Sequence, residues 1–181
     1  MLRLTVPAFE GWDSQKEEFV DLKPAVTLEL EHSLVSLQQW ESKWCKPFLS
    51  KDDKTDEEIL DYIKCMTLTP DVDPEVYERL TRDNISEINK YINAPMTATI
   101  FYDEKKSGGR KETVTAEIIF HWMIALNVWY ECRTWHINQL LTLIKVCNIK
   151  NQPKQKGRKK DIMAQYAALN AARRKQLNSK G

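Results

Sequence analysis

The sequence predicts an α+β fold that is mainly helical, with a small antiparallel sheet packed on a helical body and a C-terminal helical tail. Three observations carry this. LRLTV (2–6) and AVTLELEH (25–32) alternate apolar and polar residues, the period of half-buried strands. From Ser33 to Cys147 most segments place apolar residues three and four apart, the period of amphipathic helices. Beyond Lys150 the composition turns basic and alanine-rich.

The elements follow in order. LRLTV stops at Pro7, and GWDSQKEE (11–18) reads as a polar turn. In the second strand Val26, Leu28 and Leu30 share one face and Thr27, Glu29 and Glu31 the other. Ser33 is a natural cap for SLVSLQQWESKW, whose Leu34, Leu37, Trp40, Glu41 and Trp44 recur at helical spacing until Pro47. In the charged loop KDDKTDEE, Thr55 and Glu58 form a capping box. It opens a helix bearing Ile59, Leu60, Tyr62, Ile63 and Met66. Asp73 then caps a helix with Pro74 at its first position, directing Val76 and Leu80 inward. A further helix carries Ile85, Ile88, Tyr91 and Ile92 and is followed by Pro95.

TATIFYD (97–103) and KETVTAE (111–117) flank the glycine-containing EKKSGGR, which predicts a β-hairpin. EIIFHWMIALNVWY (117–130) predicts a largely buried helix. TWHINQLLTLIKVC (134–147) predicts an amphipathic one, offering Trp135, Leu140, Leu143, Ile144 and Cys147 to the core. Pro153 and Gly157 interrupt the polar run NQPKQKGRKK and mark a boundary. The expected organisation is an acidic body over 1–149, a basic linker over 150–160 and a basic tail over 161–181, helical to about Leu177.

Charge follows the same division. Residues 150–181 hold ten Lys/Arg and the single acid Asp161, a net +9. The whole chain is +1, so residues 1–149 carry −8. Such a split predicts an anionic partner for the tail, or a tail that meets an acidic body, its own or a neighbour's. No apolar run is long enough to span a membrane and the N-terminus has no secretory pattern. A cytosolic product is therefore expected, with Cys45, Cys65, Cys132 and Cys147 as reduced thiols.

Residues capable of chemistry are scattered. GxSxG, Walker and GxGxxG patterns are missing. Cys132 and His136 stand four apart, as two ligands on one helix face would, but ECRTWH straddles a helix start and a structural zinc site needs four ligands. A Cys/His nucleophilic pair is conceivable in any chain with four Cys and three His. The pairs Glu57/Glu58 and Glu29/Glu31 fall on polar faces, where solvation explains them. Neither a catalytic group nor a metal or cofactor site is expected. Trp40, Trp44 and Phe48, in one helix-to-loop stretch, are candidate anchors for a protein partner, because exposed aromatic side chains dominate interface energetics.

The tail permits three readings. Its cations, Arg173 and Arg174 included, can neutralise phosphates, though no base-reading module accompanies them. It can be a docking helix, with Ile162, Tyr166 and Leu169 along one face and a smooth alanine surface around them. Or it can be a solvated basic appendage. The docking helix fits the acidic body best, and nucleic acid is not the expected partner.

Several stretches together carry a family resemblance: LELEHSLVSLQQWESKWCKPFL, DEEILDYIKCMTL, NAPMTATIF, TAEIIFHWMIALNVWYECRTWHINQLLTLIKVCN and ALNAARRKQLNSKG. They resemble small proteins encoded in the tail module of long-tailed bacteriophages, the tail assembly chaperones. The resemblance covers most of the chain. It implies a non-enzymatic protein of the host cytoplasm that binds the long, largely helical tape measure protein and helps recruit tail tube protein around it. It implies absence from the finished virion and, in many such proteins, a longer frameshifted form. Homo-oligomerisation is compatible with coating a long client. The family supplies no site residues to carry over. A virion structural component, such as a tail or head–tail connector subunit, and a nucleic-acid-binding phage protein are the alternatives.

Overall fold

The computed structural model describes residues 1–13, 18–101, 113–151, 163, 166–170 and 173. Chain contacts divide it into two compact units, Met1–Cys147 and Asn148–Gly181. In the first unit the chain forms β1 (Leu2–Val6), β2 (Phe9–Asp13), β3 (Glu18–Lys23), β4 (Val26–Leu30), α1 (Leu34–Trp44), α2 (Asp56–Met66), α3 (Glu75–Glu78), α4 (Arg82–Ile92), α5 (Ala116–Ala125), a 3-10 turn η1 (Tyr130–Thr134) and α6 (Ile137–Asn151), which crosses the unit boundary. The fold is α+β and mainly helical, as the periodicities predict.

β1 and β4 pair antiparallel, with Leu4 opposite Leu28 and Leu2 opposite Leu30. Alternation sorts the two faces. Leu4, Val6, Leu28 and Leu30 are buried, while Arg3 pairs with Glu29 at 3.0 Å on the outer face. Of the residues expected as a turn, Gly11–Asp13 instead end β2 and Glu18 opens β3, which form a second antiparallel pair; residues 14–17 lie outside the described residues. Pro7 and Pro24 stand at the junction between the two pairs, and neither has an N–H to donate to a ladder. Arg79 Nη1 spans this junction, donating to the carbonyls of Pro7 (3.1 Å) and Pro24 (3.2 Å).

The free edge of β4 is covered by the chain leaving α2. Glu31 N–H donates to Met66 O at 2.8 Å and Leu68 N–H to Glu29 O at 2.7 Å. α1 is the hub, packing on α2, α5 and η1, while α4 packs on β1. The caps follow the sequence. Ser33 and Thr55 each accept a backbone N–H three residues on, and Glu58 closes the second box by accepting from Thr55 N–H at 2.9 Å. Asp73 accepts from Glu75 N–H at 3.0 Å, so Pro74 precedes the short helix α3 instead of opening it. In α6, Ile137, Leu140 and Ile144 form the buried stripe.

Two further expectations fail. Thr97–Phe101 and Thr113–Thr115 contain no strand, and α5 already begins at Ala116. The expected hairpin is thus not built on its described flanks; residues 102–112 lie outside the described residues. The helix expected over 117–130 stops at Ala125. Asn127 takes the left-handed conformation (φ 53). Its N–H donates to Ile124 O at 3.2 Å and the Val128 N–H to Met123 O at 2.8 Å, the paired bonds of a Schellman stop.

Candidate functional site

The aromatic cluster near the end of α1 proves to be structural. Trp40 is 1 % exposed and its indole N–H donates to the Glu58 carbonyl at 2.8 Å. Phe48 stacks on Tyr62 at a centroid distance of 3.7 Å and meets Trp40 edge-on at 5.1 Å. Trp44 is half-buried, and its N–H donates to Asp61 Oδ2 at 2.9 Å. Burial alone would push the Asp61 carboxyl up; the Lys43 ammonium and the Trp44 N–H outweigh it and hold the carboxyl below its ordinary value. These rings join α1 to α2. The expectation that Trp40 anchors a partner is corrected by its burial, and Trp44 and Phe48 already spend their contacts inside the fold.

The carboxylates of the polar faces are likewise engaged. Glu58 accepts from Lys46 at 2.5 Å as well as from Thr55. Hydrogen bonds from Lys46 and then Thr55 hold its carboxyl below the usual range. Glu31 accepts from the N-terminal ammonium and from Tyr91 Oη, both at 2.7 Å.

Cys132 and His136 do not share a helix. Cys132 sits in η1, Trp135 is extended, and His136 precedes α6. Both imidazole nitrogens of His136 are occupied: Nε2 donates to Tyr91 O at 3.1 Å and Nδ1 accepts from Asn138 N–H at 3.2 Å. His32 lies against it, ring centroids 5.1 Å apart. Burial raises the Cys132 thiol above its ordinary value. Among the described residues no three metal-capable side chains converge, and all four cysteines are free thiols.

One place where the body presents apolar groups is the end of α5 and the turn after it. α5 buries only Ala116, Ile119 and Met123. The Schellman stop turns the chain back, leaving Ile124 76 % and Trp129 79 % exposed, with Tyr130 and Trp135 also open. Tyr130 is held in place: its ring lies 6.4 Å from that of Phe120, and Arg133 lies 4.0 Å over it and donates to its hydroxyl. The sequence reading buried these residues. The signal that could have found them is Asn127, a residue that readily takes the left-handed stop position.

In the second unit Met163, Tyr166–Asn170 and Arg173 are helical. Tyr166 is 66 % and Leu169 52 % exposed, and Arg173 is exposed too. Ile162 and Arg174 lie outside the described residues. No helix among the described residues is long and apolar enough to cross a membrane. Compared with known proteins, the chain matches no family model, no curated protein and no solved structure.

Proposed function

We propose that this protein is a non-enzymatic tail assembly chaperone of a long-tailed phage. It binds the helical tape measure protein in the host cytoplasm and hands it to tail tube subunits. The observation that carries this reading is the exposed apolar ridge Ile124–Trp129–Tyr130, on a body that buries Trp40, Tyr62 and Tyr77. Exposed aromatic anchors on a rigid scaffold suit the apolar face of an amphipathic helix. Two features make the ridge rigid. The hydrogen-bonded stop after α5 fixes the chain direction, and Arg133 pins Tyr130. The sequence resemblance supplies the identity of the client.

The test is co-expression with the tape measure and tail tube proteins of the encoding phage, followed by capture on this chain. Recovery of the tape measure protein by the wild type, and its loss with Trp129→Asp, is the expected result. Mass spectrometry of purified virions separates the neighbouring possibility: stoichiometric presence would make the protein a structural subunit and overturn the chaperone reading.

A further inference from the structure

We infer that the groove between α2 and α4 seats the C-terminal helix of a second copy of this chain. Two hollows, of about 270 and 360 Å³, run into each other along these helices and share Ile59, Ile63 and Ile85. Ile88 and Ile92 extend the apolar lining along α4. Ile63 and Ile88 are buried and make the floor, while Ile59 is 38 % exposed at the mouth. Acids stand around it: Asp52 and Asp53 line one hollow, Asp56 and Glu78 the other. Among these lining residues the cation is Lys54, whose ammonium lies 4.8 Å over the Phe48 ring.

The chain carries a segment with the matching chemistry. Met163, Tyr166 and Leu169 are helical and exposed. At 100° per residue they fall within about a third of the helix circumference. Helical rise separates the first from the last by about 9 Å, against about 10 Å between Ile85 and Ile92 on α4. The segment 150–181 that holds them is +9, and the body 1–149 is −8. An apolar stripe flanked by cations therefore meets an apolar groove flanked by acids. The opposite net charges of tail and body draw the tail of one copy to the groove of another. Reciprocal exchange of tails closes a dimer; one-way insertion is heterologous and propagates a row. The inference stands on this complementarity and does not depend on the client.

Sedimentation of the full-length chain over a concentration series, at low and high salt, tests it. The expected result is concentration-dependent association that weakens with salt, as charge-assisted docking requires. Tyr166→Asp and, separately, Ile59→Arg should each weaken association at least about tenfold. An equimolar mixture of the two variants should restore a one-to-one complex, since one supplies an intact groove and the other an intact tail. Tyr166→Asp changes no buried residue of the body, and Glu78→Lys is a second, surface-charge variant of the groove should Ile59→Arg fail to fold. A wild-type chain that stays monomeric throughout, or Tyr166→Asp associating like the wild type, overturns the inference. So does a monomer in which Tyr166→Asp raises amide exchange in α2 and α4, because the tail would then occupy its own groove.

Discussion

Glu41 caps a helix to which it does not belong: its Oε2 accepts the backbone N–H of Ala116, the first residue of α5, at 2.7 Å. The residue at the cap position, Thr115, contributes no side-chain hydrogen bond. The other carboxylate oxygen accepts the N–H of Phe48 at 2.8 Å. One buried side chain on α1 thus satisfies an orphan donor of α5 and fixes the loop that leads to α2. Because the carboxylate bonds two backbone N–H groups, Glu41→Ala should destabilise the fold by about 2–4 kcal/mol in chemical denaturation. Thr115→Ala should stay within about 0.5 kcal/mol. Equal losses at the two positions would show that the cap is supplied by Thr115 instead.

Acid should loosen the same body through His32 and His136. Burial first, and then the neighbouring His136, lowers the His32 pKa from 6.5 to about 3. Burial also lowers His136, against the opposing pull of Tyr91 O and Glu31. Tyr62, whose phenol is kept protonated by burial, donates to His32 Nδ1 at 2.5 Å, so a proton on that nitrogen would break the bond. Both imidazoles bind protons more weakly folded than unfolded. Stability is then full above about pH 6.5 and falls as the pH drops toward 3; His32 alone removes about 2 kcal/mol by pH 5. Denaturation midpoints measured from about pH 7.5 to pH 4.5 should show this slope, and His32→Gln should flatten it. A wild-type midpoint independent of pH over that range would mean the imidazoles are solvated.

Local signals were the legible part of the sequence. Thr55 with Glu58 and Ser33 before α1 form caps because their bonding partners lie three residues away. Leu4, Val6, Leu28 and Leu30 alternate because one sheet face packs on helices. What could not be read locally was set by distant partners. The junction between the two strand pairs is bridged by Arg79, more than fifty residues on from Pro24. TATIFYD has strand-like composition but finds no strand partner on its described residues, and strand propensity is mostly a statement about neighbours. The cap of α5 comes from α1. For the interaction site the same asymmetry holds: aromatic type was visible, and which aromatic side chains are covered was not.

Trp40 and Trp129 should accordingly respond in opposite ways to truncation. Trp40 is enclosed by Trp44, Phe48 and Tyr62 and bonds the Glu58 carbonyl. Trp40→Ala leaves a cavity and loses the indole hydrogen bond, and should cost about 3–5 kcal/mol. Trp129 is open to solvent and contributes little to the body, so Trp129→Ser should change stability by no more than about 0.5 kcal/mol. If the ridge after α5 is the client surface, the same Trp129→Ser change should abolish capture of the tape measure protein while the melting curve stays in place. Paired melts and pull-downs of the two variants check this. A large stability loss at Trp129 would move that ring into the core and remove it from the interface, whereas unimpaired capture by a stable Trp129→Ser chain would place the client on another face.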